Sequence, residues 1–198
     1  YLIQHSAGSG KSNSIAWLAY QLIGLHKAGK PVFDSIVVVT DRRVLDRQIR
    51  DTIKQFAQVS SVVGHAEHSS DLKDYLEAGK KIIITTVQKF PFILDAIGDE
   101  HRHRKFAILI DEAHSSQGGR TAAKMHMALS ELVEEDDETI EDKINHIMET
   151  RKLLPNASYF AFTATPKNKT LELFGEPLPP DAEGRVKHRP FHGYTMKQ

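Results

Sequence analysis

The chain has 198 residues, of which 40% are hydrophobic, and its 26 Lys and Arg residues balance its 26 Asp and Glu residues. This length and apolar content are sufficient for one substantial core and short for two. Because the formal net charge is zero, a nucleic acid would have to be held by local groups and not by an overall basic field. The absence of cysteine excludes disulfides and thiolate metal sites and fits a cytoplasmic protein. We expect no membrane span, because the apolar runs are far shorter than the roughly 20 residues of a membrane helix.

The predicted elements alternate between strands and helices along the chain. In order, they are the end of a strand at 2–4, a helix from about 12 to 23, a strand at 35–40, a helix at 44–56, a short helix at 72–78, a strand at 81–86, a helix at 88–97, a strand at 106–110, helices at about 122–132 and 140–154, and a strand at 158–163. Strands separated by helical crossovers predict an α/β fold of three layers, in which helices cover both faces of a mostly parallel central sheet.

The organisation of the chain is predicted from its two ends. We expect one domain over residues 1–173 and an irregular exit segment over residues 174–198, because proline is frequent in the latter. The chain begins at Tyr1, inside an expected strand and without an initiator Met. It is therefore expected to be a piece of a larger polypeptide, whose targeting signals, if any, lie outside it.

A glycine-rich segment, Gly8-Ser9-Gly10-Lys11-Ser12, lies between the first strand and the first helix. Gly8 and Gly10 allow a tight turn that directs backbone N–H groups at phosphate oxygens. Lys11 would bring a cation to the β- and γ-phosphates, and the hydroxyl of Ser12 can ligate Mg²⁺. The N-terminus of the following helix also favours an anion. The segment is therefore predicted to bind ATP.

A carboxylate pair follows a second strand. The run Phe106–Ile110 is typical of a strand buried on both faces of a sheet. It places Asp111 and Glu112 at the carboxyl end of the strand, where ligands bind in open α/β sheets. Asp111 would hold Mg²⁺ through its water shell, and Glu112 would orient and deprotonate an attacking water. The alternative interpretation is a solvated acidic turn after a core strand.

Several histidines need a separate interpretation. His5 occupies the position of the first glycine in the usual G-x-x-x-x-G-K-[ST] pattern, although both turn glycines remain in place. His101 and His103 have a spacing that could bind a metal, but charged residues surround them. For this pair we favour an exposed charged turn before a strand over a metal site.

Five motifs occur in the order seen in superfamily 2 helicases and translocases, which the chain resembles from about residue 4 to residue 166. They are Gly8–Ser12, Thr40–Arg43, Thr85–Phe90, Asp111–His114 and Thr163–Pro166. Four longer segments make the resemblance more specific, because they are similar to segments of the motor subunit of type I restriction enzymes. They are VVVTDRRVLDRQI, DEAHSSQGG, FTATP and the closing FHGYTMKQ. The closing segment is the most informative of these, since it lies outside the ATPase motifs.

The resemblance implies the first RecA-like motor domain of a prokaryotic cytoplasmic translocase that uses ATP and Mg²⁺ to pull double-stranded DNA. Such a motor subunit works with methyltransferase and specificity subunits, and its nuclease domain lies upstream of the motor. A second RecA-like domain, which supplies an arginine finger, would follow the exit segment. The chain by itself is therefore expected to contain half an active site and to be poorly active.

The resemblance also assigns DNA contacts. Arg42 and Arg43 after one strand, and Thr86, Gln88 and Lys89 after another, would lie near the DNA backbone. Hydroxyl, amide and cationic groups at strand ends suit phosphate contacts that do not depend on base sequence. In the alternative interpretation, Thr86 caps a helix and Arg43 pairs with a nearby acidic residue.

A coupling role follows from the same resemblance. Thr163 and Thr165 would sense the γ-phosphate through Glu112 or His114. The catalytic set that the resemblance implies is Lys11, Asp111, Glu112 and His114.

Two other classes of protein remain open. One is another superfamily 2 motor, such as a repair helicase or a type III restriction subunit. The other is a nucleotide-binding module that acts as a regulatory switch and moves no DNA. The closing FHGYTMKQ favours the restriction motor over the first alternative, and stimulation of ATP hydrolysis by duplex DNA would exclude the second.

Overall fold

The structure is a computed structural model that describes residues 1–6, 8–40, 63–66, 69–98, 100–111, 144, 145, 148 and 153–194. The predicted helices at 44–56 and 122–132 lie outside the described residues. Of the predicted helix at 140–154, Ile144, Asn145 and Met148 are helical, whereas the last two residues, Leu153 and Leu154, are described and are not helical.

The fold is organised around one sheet. The described strands are β1 (Leu2–His5), β2 (His26–Lys27), β3 (Lys30–Pro31), β4 (Ser35–Thr40), β5 (Val63–His65), β6 (Ile82–Thr86), β7 (Phe106–Asp111), β8 (Ala157–Thr163), β9 (Glu176–Pro177), β10 (His188–Arg189) and β11 (His192–Tyr194). Seven of them form a sheet in the order β11-β1-β8-β7-β4-β6-β5, and every pairing in it is parallel. The pairs β2–β3 and β9–β10 are antiparallel.

Helices connect and cover these strands. They are α1 (Lys11–Ile23), α2 (Ser69–Glu77), a 3-10 helix (Val87–Lys89), α3 (Phe90–Gly98) and α4 (Asn168–Phe174). The buried residues of α1 and α3 recur every three or four positions, so each helix presents one apolar face to the sheet. These residues are Ile15, Ala16, Ala19 and Leu22 in α1, and Phe90, Ile93, Leu94 and Ile97 in α3.

The core lies on both faces of the sheet because side chains alternate along each strand. On one face, Ile36, Val38 and Leu109 pack with the apolar residues of α1. On the other face, Val37 and Ile108 pack with α2, α3 and their neighbours. The predicted three-layer α/β fold is therefore confirmed.

Most predicted boundaries differ from the observed ones by only a residue or two, and the larger differences have local causes. The short helix expected at 72–78 begins at Ser69, and the helix expected from residue 88 begins as a 3-10 turn before α3. The β2–β3 hairpin was not predicted. Its strands are two residues long and carry no periodicity, while Ala28 and Gly29 form the turn with φ angles of 51° and 75°.

The segment after residue 174 is more regular than the predicted irregular exit segment. The strands β9 and β10 pair with each other, and β11 joins the edge of the main sheet beside β1. The prediction of irregularity is wrong for these strands, because proline frequency does not indicate which backbone partners a short strand will have, and Pro177 itself lies within β9.

Candidate nucleotide site

The loop between β1 and α1 adopts the left-handed turns that its glycines predict. The φ angle is 77° at Gly8 and 82° at Gly10, a region that other residues rarely adopt. A Cβ atom at Gly10 would meet nothing within 4 Å, so the constraint there is conformational and not spatial. The carbonyl oxygen of Gly10 accepts bonds from the N–H groups of Asn13 at 3.0 Å and Ser14 at 3.1 Å. The helix α1 therefore begins directly at the loop.

Lys11 and Ser12 form the first turn of α1, which contains no acidic residue. A cation at this end of a helix is disfavoured by the helix dipole, so Lys11 requires a nearby anion. Asp111 provides one, since its Oδ1 atom lies 4.0 Å from the Nζ atom of Lys11. Both side chains are largely shielded from solvent, with exposed fractions of 15% for Lys11 and 3% for Asp111.

The sheet brings these two residues together. The strands β1 and β7 each pair with β8, on its opposite sides, and all three strands are parallel. Their carboxyl ends therefore meet at one edge of the sheet, where Asp111 ends β7 and the glycine loop follows β1. The two predicted halves of the site are adjacent. Glu112 and His114 lie outside the described residues.

The side chain of His5 is buried and hydrogen-bonded. In the sequence, His5 was only a departure from the usual glycine pattern. The Nδ1 atom of His5 lies 2.9 Å from Oγ of Ser9, and Ser9 Oγ donates to the carbonyl oxygen of Ser6 at 2.6 Å. Burial, followed by the nearby charges of Lys11 and His192, lowers the pKa of His5. His5 therefore favours the neutral form, which limits the positive charge beside Lys11.

The predicted coupling residues lie at the end of β8 and just after it. Thr163 ends that strand and is fully buried, and in the sheet it pairs with Gln4 of β1. Gln4 also donates a hydrogen bond from Nε2 to the carbonyl oxygen of Ala164 at 3.2 Å. Thr165 is exposed. The segment after β8 is thus attached to the strand that precedes the glycine loop.

The two strands that precede the predicted DNA-contact residues along the chain are neighbours in the sheet. Thr40 and Thr86 pair where β4 and β6 end, so Arg42 and Arg43, which lie outside the described residues, follow a strand end that is adjacent to Thr86. Thr86 occupies the N-cap position of the 3-10 helix, as the helix-cap interpretation expects, but its side chain makes no capping hydrogen bond.

The two other candidates after β6 differ in their surroundings. Gln88 is exposed, and Lys89 is partly buried. The Nζ atom of Lys89 donates to the carbonyl oxygen of Ala66 at 2.9 Å. Lys89 therefore ties the end of β6 to the segment that follows β5.

The turn at residues 101–104 is polar but not wholly exposed. His101 is buried, which corrects the prediction of an exposed turn at this residue, and burial is the largest cause of its lowered pKa. The amide of Asn156 holds the turn by donating to the carbonyl oxygens of His101 at 3.3 Å and Arg104 at 3.0 Å. His103 is exposed. No group of three or more His, Asp or Glu side chains that could hold a metal occurs within the described part of the chain.

Comparison with known proteins identifies the family. Residues 2–197 match the family model of the SWI2/SNF2 ATPase, and the chain therefore belongs to the SWI2/SNF2 ATPase family. None of the helices in the described ranges is long and apolar enough to cross a membrane.

Relatives within restriction systems narrow the comparison. The chain is 30% identical over 191 residues to the type I restriction enzyme HindI endonuclease subunit of Haemophilus influenzae, which covers 86% of this chain and 16% of that one. It is 28% identical over 192 residues to the putative type I restriction enzyme MjaIXP endonuclease subunit of Methanocaldococcus jannaschii, covering 88% of this chain and 14% of that one. The predicted resemblance to type I restriction subunits is confirmed. The chain spans about one seventh of the length of these relatives.

Among solved structures, the UvsW helicase of bacteriophage T4 is similar, with a TM-score of 0.47 and 12% identity. The match covers 87% of this chain and 50% of that one.

Proposed function

We propose that this chain is an ATP-hydrolysing motor domain that pulls double-stranded DNA as part of a type I restriction-modification endonuclease. The observation that carries the proposal is the 4.0 Å approach of Lys11 Nζ to Asp111 Oδ1, because it joins the glycine loop and the DEAH strand into one site. Membership of the SWI2/SNF2 ATPase family and similarity to type I endonuclease subunits support it.

The residues at the site suit Mg²⁺ and a triphosphate. The carboxylate of Asp111 and the hydroxyl of Ser12 are oxygen ligands of the kind Mg²⁺ prefers. Mg²⁺, when bound with ATP, would neutralise charge on the phosphates. Lys11 would turn from the Asp111 carboxylate to the β- and γ-phosphates, while Gly8 and Gly10 leave backbone N–H groups accessible to phosphate oxygens.

Hydrolysis would use the second carboxylate of the pair. Glu112 would accept a proton from the attacking water, whose oxygen bonds to the γ-phosphorus as the bond to the β-γ bridging oxygen breaks, giving ADP and phosphate. Thr163 and Thr165 would report the loss of the γ-phosphate through Glu112 or His114. The bond from Gln4 to the segment after β8 supports such a link between nucleotide and strand ends.

The DNA track would run over the ends of β4 and β6. Arg42, Arg43, Thr86 and Gln88 would contact phosphates without reading bases. Lys89 would join them only by exchanging the Ala66 carbonyl oxygen for a phosphate oxygen. The adjacent ends of β4 and β6 support a single shared track.

The partners follow from the same proposal. They are double-stranded DNA, the methyltransferase and specificity subunits of the restriction complex, and a second RecA-like domain of the same polypeptide. That second domain would supply an arginine to the γ-phosphate, a group whose contribution to the rate is typically about 10³–10⁵.

The proposal is tested with Lys11→Ala in the complete motor subunit to which we assign the chain. Loss of the ammonium should abolish hydrolysis of ATP that is stimulated by duplex DNA, measured as phosphate release. Lys30→Ala, in the exposed β2–β3 hairpin, is the matched control and should hydrolyse ATP at the parent rate. Parental hydrolysis by Lys11→Ala, or a parent rate that duplex DNA does not raise, would refute the proposal.

A further inference from the structure

The strand β11 makes contacts that reach beyond the sheet into the glycine loop. Its pairing with β1 ends where Tyr194 lies opposite His5. The next residue of the loop, Ser6, continues the contact. Its backbone N–H donates to the carbonyl oxygen of Tyr194 at 3.1 Å, and its hydroxyl donates to the same oxygen at 3.3 Å. The first residue of the loop is therefore held by a strand from the far end of the chain.

Ser6 in turn makes two hydrogen bonds with Ser9. The carbonyl oxygen of Ser6 accepts bonds from the N–H of Ser9 at 3.2 Å and from its hydroxyl at 2.6 Å. Because the single hydroxyl proton of Ser9 is used in this bond, the contact between His5 Nδ1 and Ser9 Oγ at 2.9 Å requires the proton on Nδ1. His5, Ser6 and Ser9 thus form a closed set of bonds with defined donors.

The ring of His5 is held from the side of β11. Its centroid lies 5.1 Å from that of Tyr194 and 6.3 Å from that of Phe162. His5 is buried, whereas all three residues of β11 are exposed. A side chain at this position, where a glycine is usual, therefore has a specific partner in β11.

We infer that β11 is a positioning element of the phosphate loop, in which Tyr194 sets the conformation of Ser6 through its carbonyl oxygen and that of His5 through its ring. This inference rests on the proposed nucleotide site. It gives the exposed edge strand a role in nucleotide affinity, although β11 supplies no residue to the loop itself. A movement of β11 would loosen the loop, and nucleotide bound to the loop would in turn hold β11.

The test is Tyr194→Ala in the 198-residue chain. The carbonyl oxygen of residue 194 remains, but removal of the ring should free His5, and the bonds from His5 to Ser9 and from Ser9 to Ser6 should carry this loosening to Ser6. We expect faster hydrogen exchange of the Ser6 amide and a changed ¹⁵N shift of His5 Nδ1, both measured without nucleotide. Affinity for ATP·Mg²⁺, measured by calorimetry, should fall roughly three- to tenfold, as expected for the loss of one such contact. Tyr194→Phe, which keeps the ring, should restore all three values.

Phe191→Ala is the matched control. Phe191 is an exposed aromatic residue next to β11, and its ring contacts that of Tyr1 at a centroid distance of 5.0 Å. It should leave the Ser6 amide and the His5 nitrogen unchanged. If Tyr194→Ala leaves both signals as in the parent, or if Phe191→Ala changes them equally, the inference is overturned.

Binding of ATP·Mg²⁺ by Lys11→Ala tests the proposed nucleotide site separately from the role of β11. If Lys11→Ala binds ATP·Mg²⁺ as the parent does, the proposed site is wrong, while the Ser6 and His5 signals still decide whether β11 positions the loop. If Lys11→Ala abolishes binding and Tyr194→Ala binds with parental affinity, the proposed site stands and the inference fails.

Discussion

At the scale of single residues, the pair formed by Lys11 and Asp111 shows why the residue types of the site are needed. Lys11 lies at the helix end that disfavours a cation, and Asp111 is a buried carboxylate. Either charge alone would be costly in this position, because a buried charge needs a partner. The 4.0 Å distance between Lys11 Nζ and Asp111 Oδ1 gives each charge an opposite charge beside it, and in the proposed function the two groups would serve a phosphate and a metal.

The two carboxylates of the DEAH segment should differ when they are changed one at a time. Glu112→Gln keeps size and polarity but removes the proposed base, so we expect ATP to bind while hydrolysis and DNA movement stop. Asp111→Asn should weaken Mg²⁺ binding, and added Mg²⁺ should partly restore activity. Nucleotide affinity and translocation of the complete subunit, measured at several Mg²⁺ concentrations, check both expectations. Translocation by Glu112→Gln would show that the roles are assigned wrongly.

At the scale of elements, the start of α1 depends on the left-handed turn at Gly10. Gly10→Ala places a Cβ on a backbone with φ of 82°, which costs roughly 1–2 kcal/mol. The substitution should lower the free energy of unfolding by about that amount. It should also weaken ATP binding, because the backbone at residue 10 would move away from this unfavourable φ angle and change the conformation of the glycine loop.

Gly184 provides the matched control for this element. Its φ angle is 78° and a Cβ there would also meet nothing within 4 Å, but it lies in the turn between β9 and β10. Gly184→Ala should cost similar stability in urea denaturation and leave ATP affinity as in the parent. Equal losses of affinity in both variants would mean that the loop geometry at Gly10 has no specific role.

The strands also differ in how far the sequence determined them. For β4 and β7, the apolar runs predicted buried strands because both faces of a parallel sheet are covered, and the structure places them at the centre of the sheet. For β11, the sequence His192-Gly193-Tyr194 contains no apolar run. All three residues are exposed in the structure. Its strand conformation comes from the backbone of β1, which a local pattern does not contain.

At the scale of the whole molecule, stability should depend on pH through the buried histidines. Burial is the largest cause of the lowered pKa of His5 and of His101. A lowered folded-state pKa means that the unfolded chain binds more protons between that pKa and the ordinary value of about 6.5. The free energy of unfolding should therefore be greatest above pH 6.5 and should decrease as the pH falls through the folded-state pKa values.

The measurement is urea denaturation of the 198-residue chain between pH 8 and pH 5. His101→Gln should make the free energy of unfolding less dependent on pH, because glutamine takes up no proton on unfolding. His103→Gln, which changes an exposed histidine of the same turn, is the comparison. A larger decrease of the pH dependence in His103→Gln than in His101→Gln would contradict the explanation.

The sequence by itself determined the local elements and the chemistry that two of them carry. Apolar runs and helical periodicity are local properties, so β4, β6, β7 and α1 could be predicted, and the residue types of Gly8–Ser12 and Asp111 indicated a phosphate and metal site. The tertiary structure decided which strands are neighbours. It placed β1 between β8 and β11, joined Lys11 to Asp111, and put the rings of Phe162 and Tyr194 beside His5. These contacts join residues far apart in the chain, and their choice depends on how all the apolar faces are buried at once.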